Sequence, residues 1–353
     1  MTLEMLTSRY NHPSAWNGAH IRTSQDWIVR LDAAHNRELA TALAFARGRG
    51  AKIPQLSAED FPLPTLQPVL NALRTQVNDG RGFVLLKGFD IDRYALEDAA
   101  LIYWGIGAHM GSGSAQNAQG DMLGYVTDLG LDFRTDVNVR GYQTRQILPF
   151  HNDAMYIVAL MCLHPARSGG ASRIVSSTAI FNAIQERRPD LLPVMYEPFY
   201  VDRRGESPAG KPPYYTAPMF SYLDGRLFVR YNRSYIESAQ RFAEVPRLSA
   251  QQIEVLDLVD ALCNDPELHL DMAFERGDIQ FISNYTTLHS RTEYEDWPEK
   301  ERRRYLLRLW LDTGCFKRLP TAYADRYEDM RVWQRHPKPP IFDLSAVHTE
   351  LAH

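Results

Sequence analysis

Apolar residues in the first 110 positions recur three and four apart, which is the spacing of amphipathic helices. The spacing predicts helices in three segments, ELATALAFARG (38–48), LPTLQPVLNALRTQVNDG (63–80) and ALEDAALIYWGIGAHMG (95–111). The short apolar run RGFVLLKGFD (81–90) lies between the last two and predicts a strand. The chain therefore begins with a mostly helical region.

Beyond residue 140 the pattern changes to short apolar or alternating segments separated by turns, which predicts strands. Asp224-Gly225 lies between FSYL and RLFVRY and predicts a tight β-hairpin, because glycine readily adopts the positive φ of such a turn. Two segments with helical spacing interrupt the strands. The segments that suit strands are SRIVSS, MFSYLDGRLFVRY, LDMAFERGDIQFISNY and RRYLLRLWLD, and the helical ones are FNAIQERRPDLLPVMYE and SAQQIEVLDLVDALCNDP.

This order of elements predicts an α+β protein with a mainly β core, a double-stranded β-helix (jelly roll) with helices outside it. The expected organisation is a helical N-terminal region (1–80), a jelly-roll domain (81–318) and a C-terminal extension (319–353). The domain carries a loop insert at 203–218 and a helical insert at 249–264. The loop insert holds four prolines and two glycines and predicts a surface loop, or alternatively a mobile lid over a site.

Composition excludes several classes of protein. A formal charge of -4 and a pI near 6.3 give no reason to expect nucleic acid or an anionic membrane as a partner. The three cysteines are far apart and form no CxxC, so reduced thiols in a cytoplasmic protein are expected. The N-terminus has no apolar signal-peptide core, and the longest apolar run is too short to span a membrane. The sequence is compatible with a homo-oligomer.

Residues 148–156, LPFHNDAMY, place an imidazole and a carboxylate within an otherwise apolar run, where burial without a partner is costly. Because residues two apart on a strand share a face, His151 and Asp153 project together while Phe150 and Asn152 face the other way. The pair would supply two of the three ligands of a 2-His-1-carboxylate metal site. The alternative is a structural histidine hydrogen-bonded to its neighbour.

A third candidate ligand is His289, 138 residues after His151, at the end of a segment that suits a core strand. The fold could bring it beside the pair, or it could be a core histidine with its hydrogen bonds satisfied.

Arg304 and Arg308 lie four apart in RRYLLRLWL and would share a strand face with Leu306 and Trp310. Guanidinium groups on an apolar strand need anionic partners, because arginine stays protonated. A dicarboxylate cosubstrate would meet this need through bidentate salt bridges. The alternative is a set of ion pairs with acids of the protein, such as Glu293, Glu295 or Asp296.

The motifs FHND (150–153), SGGAS (168–172), LHSR (288–291) and RRYLLRLW (303–310) together resemble the taurine dioxygenase-like family of Fe(II)/2-oxoglutarate oxygenases. The resemblance covers roughly residues 80 to 315. It implies a jelly-roll enzyme with Fe(II) as cofactor, 2-oxoglutarate as cosubstrate, O2 as oxidant and a small molecule as substrate. The expected reaction is hydroxylation of an unactivated C–H bond, with 2-oxoglutarate converted to succinate and CO2.

The resemblance also implies roles for individual residues. The iron ligands would be His151, Asp153 and His289. Halogenating relatives have a small residue at the position of Asp153, so its presence favours oxygenation.

Three further residues would contact the cosubstrate. Arg304 would bind the distal carboxylate of 2-oxoglutarate, and Ser172, where relatives usually carry threonine, would donate its hydroxyl to the same group. Arg308 would contact the metal-proximal carboxylate or an anionic group of the substrate.

Substrate contacts are less well defined by the sequence. Gln116 and Asn117 precede the metal strand, and Arg230 and Tyr231 lie on a hairpin that could border the pocket. Desaturation, epoxidation and cyclisation remain alternative outcomes, because they use the same oxidant. The alternatives of a different class are a zinc metallohydrolase with the same three ligands and a non-catalytic jelly-roll binding protein.

Overall fold

A computed structural model describes residues 4–133, 135–136 and 139–342 of the chain. Short 3-10 turns are formed by Ile91–Arg93, Gly141–Gln143, Pro189–Leu191 and Lys300–Arg302. The α-helices of the described residues are α1 (Gly18–Thr23), α2 (Ala33–Gly48), α3 (Gln67–Asn78), α4 (Leu96–Met110), α5 (Ser177–Arg187), α6 (Leu192–Met195), α7 (Arg233–Ala239), α8 (Ala250–Cys263) and α9 (Thr321–Trp333).

The strands lie mostly after α4. In chain order they are β1 (Ile28–Arg30), β2 (Phe83–Lys87), β3 (Ser112–Ser114), β4 (Leu123–Val126), β5 (Leu148–His151), β6 (Ile157–His164), β7 (Ser168–Gly169), β8 (Ser172–Ser176), β9 (Pro198–Asp202), β10 (Tyr214–Pro218), β11 (Phe220–Leu223), β12 (Arg226–Val229), β13 (His269–Met272), β14 (Ile279–Ser283), β15 (Thr287–Arg291), β16 (Tyr294–Glu295) and β17 (Tyr305–Asp312).

Two sheets form the centre of the molecule. The larger has the order β1-β2-β14-β6-β17-β3, with β4 also paired to β17, and the smaller has the order β13-β8-β15-β5. Side chains of the two sheets meet: Ser172 on β8 donates a hydrogen bond of 3.0 Å to Gln280 on β14. The architecture is therefore a mixed one in which two facing sheets hold polar groups between them.

Helices cover both sheets and divide the apolar core. The N-terminal helices α2, α3 and α4 share one buried cluster with the larger sheet. A second cluster joins α5, α6 and α8 to the β11–β12 hairpin. This packing leaves one end of the smaller sheet, where β5 ends, free to line a cavity.

Most of the predicted elements are present with shifted boundaries. The three N-terminal helices, the strand at 83–87, the inserted helix α8 and the hairpin are confirmed, and Asp224 and Gly225 have φ values of 52° and 77°. The predicted loop at 203–218 is shorter, because Tyr214–Pro218 forms β10 against β9. Residues 343–353 of the predicted C-terminal extension lie outside the described part of the chain. None of the described helices has the length and apolar character of a membrane span.

Candidate active site

The three predicted metal ligands lie together at the end of the smaller sheet. β5 ends at His151, which is paired directly with His289 on the neighbouring strand β15. Their ring centroids are 4.3 Å apart, and Oδ2 of Asp153 lies 3.8 Å from Nε2 of His289. One nitrogen or oxygen of each residue lies within 4.8 Å of the others.

Neighbouring groups fix the orientation of these ligands. Nδ1 of His151 bonds to the carbonyl oxygen of Pro149 at 2.8 Å. A carbonyl can only accept, so Nδ1 carries the proton and the lone pair of Nε2 is left for a metal. Trp310 Nε1 donates to Oδ2 of Asp153 at 3.0 Å.

Asn152 points away from the ligands, as the alternation of a strand predicts. Its amide nitrogen donates to the carbonyls of Val229 and Asn284, and its amide oxygen accepts from the backbone N–H of Tyr231. The apolar run from 148 to 163 is not one strand. β5 ends at His151, and Asp153 lies just after it, in the connection to β6, which belongs to the other sheet.

The protonation states suit a metal centre. Burial lowers the pKa of His151, and burial together with His151 lowers the pKa of His289 to about 3. Burial raises the pKa of Asp153, but the charge of Arg308 and the nearby histidines outweigh this and lower it overall. At neutral pH the group therefore offers two neutral imidazoles and one carboxylate, which is the donor set of a non-haem Fe(II) centre.

Arg304 is the buried cation that the sequence associates with the cosubstrate. Its side chain is 4% exposed, and its Nη1 is buried without a hydrogen-bond partner among the described residues. Its guanidinium lies 5.0 Å from the ring centroid of Tyr294 and against Gly170, where a Cβ atom would approach Arg304 Nε to 3.0 Å.

The alternative of ion pairs with protein acids does not hold for Arg304. Asp296 accepts a hydrogen bond from its backbone N–H at 2.6 Å, and within the described residues no carboxylate lies within 4.0 Å of its guanidinium. A buried guanidinium without a counter-ion fits the carboxylate of a bound cosubstrate.

Two other cosubstrate candidates surround Arg304. Ser172 is buried two residues after Gly170 and donates its hydroxyl to Gln280. Arg291, which the sequence analysis did not single out, is paired with Ser172 across β15 and β8 and lies 4.9 Å from the Tyr294 ring. Burial and the charge of Arg304 lower the pKa of Arg291 to about 10. Its place two residues after His289 was the available signal, because the two share a strand face.

Arg308 lines the cavity beside the metal ligands. Its Nε donates to Oε1 of Gln116 at 2.7 Å, and its guanidinium lies 4.5 Å from the ring centroid of Tyr142 and 5.1 Å from that of Trp310. Among the residues that the structure describes, none places a carboxylate within 4.0 Å of this guanidinium. Gln116 therefore positions Arg308 at the cavity wall.

The other predicted substrate contacts lie in different parts of the structure. Arg230 lines the cavity, where it donates to the backbone carbonyls of Asn152 and Asp153. Asn117 lies in an adjacent cavity and bonds to Asp121. Tyr231 is buried in the second core cluster with its hydroxyl on Asp260, so the structure does not bring it to the metal site.

The cavity at the metal ligands has a volume of about 120 Å³ and is rich in arginine. Sequence reasoning missed several of its lining residues, which come from segments far apart in the chain. They are Arg140, Tyr142, Arg204, Glu206, Tyr235 and Arg326.

Residues 49–310 match the family described as taurine catabolism dioxygenase TauD, TfdA family. The chain belongs to this family. It is therefore an enzyme of the non-haem iron oxygenases, with Fe(II) as cofactor and 2-oxoglutarate as cosubstrate.

Two relatives are similar over nearly their whole length. FR-33289 synthase of Streptomyces rubellomurinus (strain ATCC 31215) is 30% identical over 329 residues, which cover 91% of this chain and 96% of the relative. Taurine hydroxylase-like protein SAT17 of Stachybotrys chartarum (strain CBS 109288 / IBT 7711) is 30% identical over 353 residues, which cover 95% of this chain and 90% of the relative.

Solved structures show the same fold at low sequence identity. Asparagine oxygenase in complex with Fe(II), 2S,3S-3-hydroxyasparagine and succinate has a TM-score of 0.63 at 15% identity, covering 81% of this chain and 94% of that one. The non-heme iron oxygenase OrfP in complex with Fe and alpha-ketoglutaric acid has a TM-score of 0.60 at 16% identity. The match covers 81% of this chain and 93% of the OrfP chain.

Proposed function

We propose that this enzyme hydroxylates an unactivated C–H bond of a small molecule while 2-oxoglutarate is converted to succinate and CO2. The observation that carries the proposal is the combination of a convergent His151, Asp153 and His289 group with a buried Arg304 that has no carboxylate partner among the described residues. The first feature suits a divalent metal, and the second suits a dicarboxylate cosubstrate.

His151, Asp153 and His289 would hold the iron through Nε2 of His151, the carboxylate of Asp153 and Nε2 of His289. Bound Fe(II), with 2-oxoglutarate and O2, supplies the oxidising chemistry: one oxygen atom enters succinate and the other enters the substrate C–H bond. Trp310 keeps the Asp153 carboxylate in place, and Pro149 keeps the proton of His151 away from the metal side.

The cosubstrate would lie between the two sheets. Arg304 would bind its distal carboxylate, with Ser172 as a hydroxyl donor and Arg291 as a second nearby cation. Arg308, on the cavity wall, would contact the metal-proximal carboxylate or the substrate. Gln116 and Arg230 line the same cavity and are the two predicted substrate residues that fit this role.

The two facing sheets support a double-stranded β-helix as the core, with 81–318 as its extent and residues 1–80 as a helical region packed against it. The small volume next to the metal ligands supports a small-molecule substrate.

The experiment that tests this function is an anaerobic titration of the purified, iron-loaded enzyme with 2-oxoglutarate. A weak visible metal-to-ligand charge-transfer band and succinate release on admission of air are expected. His151→Ala removes both, while His164→Ala, at the far end of β6, retains them. Absence of the band from folded, iron-loaded wild-type protein contradicts the proposal.

A further inference from the structure

The turn that follows β9 carries two consecutive arginines with opposite environments. Arg203 is ion-paired with Asp325 and Asp329 of α9. Arg204 lines the cavity at the metal ligands, and within the described ranges no carboxylate lies within 4.0 Å of its guanidinium. Carboxylates of the described residues neutralise Arg203, and none of them neutralises Arg204.

The backbone of Arg204 is held in a conformation that L-residues rarely adopt. Its φ is 53°, in the left-handed region. Oδ1 of Asp202 accepts a hydrogen bond of 2.8 Å from the Arg204 N–H, and Asp202 is itself bonded to Ser238 and Arg241. Strain that the surrounding structure maintains is concentrated at functional sites, and here its effect is to place the Arg204 side chain in the cavity wall.

Among the described residues, the Arg204 guanidinium has only neutral partners. The side chain is 7% exposed, its Nε is buried without a partner among the described residues, and one terminal nitrogen donates to the Val139 carbonyl at 3.0 Å. Its guanidinium lies 5.3 Å from the ring centroid of Tyr235. A nearly buried cation in such surroundings is stabilised by an anion, and none of the described residues supplies one.

The neighbouring charges do not supply that anion. The guanidinium of Arg140 lies 5.8 Å from the same Tyr235 ring and is paired with Glu206 at 3.1 Å. Glu206 is shared with Arg326 at 3.3 Å, and Arg326 also lies 3.4 Å from Asp329, so both of these cations have carboxylate partners. Of the three arginines at this end of the cavity, Arg204 is therefore the one without a carboxylate partner among the described residues.

We infer that Arg204 binds an oxyanion of the substrate, so the substrate is a small organic acid bearing a carboxylate, phosphate or phosphonate group. The inference rests on the proposed function, because it assigns the cavity beside His151 and Asp153 to the substrate. The guanidinium matches two oxygens of any of these groups, so the shared chemistry is a bidentate oxyanion.

A second cavity of about 630 Å³ adjoins the first and provides room for the rest of such a molecule. Both cavities are lined by Arg140, Arg204 and Glu206. An acid held at Arg204 can therefore present one part to the metal ligands and extend another part into the larger space.

The first experiment measures binding without turnover. Iron- and 2-oxoglutarate-loaded enzyme is titrated anaerobically with inorganic phosphate and, separately, with acetate by calorimetry. Arg204→Gln is expected to weaken binding of the oxyanion by about tenfold or more, because a charge-assisted pair is lost. Arg318→Gln, which removes the same charge at an exposed ion pair, leaves it unchanged. Equal affinities in wild type and Arg204→Gln overturn the inference.

Arg204→Gly guards against a folding artefact, because glycine adopts the positive φ without strain. It is expected to lose oxyanion binding to the same extent as Arg204→Gln. If it binds as wild type does, the inference is wrong.

The second experiment identifies the acid. Matched sets of carboxylates, phosphate monoesters, phosphonates and their neutral esters are screened for succinate release above the substrate-free rate. The acids of one set are expected to stimulate release and their neutral esters not to, with Arg204→Gln raising KM about tenfold at little-changed kcat. Stimulation by neutral esters alone overturns the inference. The charge-transfer band of the same samples reports separately on the proposed function, since it needs iron and 2-oxoglutarate but no substrate.

Discussion

The indole of Trp310 donates a hydrogen bond of 3.0 Å to the carboxylate of Asp153, so a side chain of the larger sheet orients a candidate metal ligand at the end of the smaller one. Partners of this kind hold a ligand in its binding orientation, and their loss commonly lowers metal affinity by about 10- to 100-fold. We expect Trp310→Phe to weaken Fe(II) binding by about tenfold with little change in secondary structure.

Anaerobic Fe(II) titration followed by calorimetry measures this effect. Trp104→Phe is the matched control, because it removes an indole hydrogen bond of 2.9 Å to Leu56, away from the metal ligands. An equal loss of affinity in both variants would show that the Trp310 bond has no specific role in the centre.

Arg304 provides the second prediction. Because its guanidinium has no carboxylate partner within the described residues, Arg304→Gln should remove the main attraction for the distal carboxylate of 2-oxoglutarate. We expect the Kd of 2-oxoglutarate to rise by about 100-fold while Fe(II) affinity is retained. Titration of the charge-transfer band measures the change, and Arg318→Gln serves as the control. A larger effect of Arg291→Gln would transfer the anchoring role to that residue.

Replacing Arg204 in the strained turn is predicted to raise the stability of the fold and to abolish oxyanion binding. Arg204→Gly removes a left-handed non-glycine residue and a buried cation that has no carboxylate partner among the described residues. We expect the free energy of unfolding in the absence of ligands to rise by about 1 kcal/mol while oxyanion binding is lost. Chemical denaturation measures the first quantity. A decrease in stability would mean that the packing of Arg204 on Tyr235 outweighs the strain.

Asp202 gives a pH-dependent prediction. Burial raises the pKa of its carboxyl group, but hydrogen bonds from Arg241, Ser238 and the Arg204 N–H outweigh this and lower it overall. A lowered folded pKa contributes stability above the unfolded pKa, and this contribution is lost as pH falls through the folded value. We therefore expect Asp202→Asn to reduce the free energy of unfolding by about 2 kcal/mol at neutral pH.

The difference between wild type and Asp202→Asn should stay constant near neutral pH and shrink as pH falls below about 4, where the unfolded chain takes up the Asp202 proton before the folded protein does. Denaturation curves across this range measure it. Asp224→Asn, at an exposed pair with Arg318, is the control and should change stability little at any pH. A difference that is constant with pH would show that the Asp202 charge does not stabilise the turn.

The parts of the site that could be predicted from sequence are those set by local periodicity. The two-residue period predicts His151 and Asp153 on one side and Asn152 on the other. The structure brings the two ligands together, although only His151 lies on the strand and Asp153 lies just after its end. The turn chemistry of Asp224-Gly225 determined the hairpin in the same local way.

The parts that could not be predicted depend on which segments meet. Tyr231 follows a cavity residue, Arg230, in the chain, but its side chain packs in the second core cluster with its hydroxyl bonded to Asp260. Tyr214–Pro218 has the composition of a loop and becomes a strand because β9 supplies a partner. Arg204 reaches the cavity through a strained backbone that no periodic pattern indicates.

β5 is the outermost strand of the smaller sheet, and its terminal residue His151 faces His289 on its neighbour. An ion bound by both side chains would stabilise the edge strand β5 as well as take part in oxidation. Loss of iron should then loosen residues 148–151 before the remainder of the sheet, and amide hydrogens there should exchange faster in the metal-free enzyme. The exchange rate of the β5 amides would therefore show whether metal is bound to the enzyme.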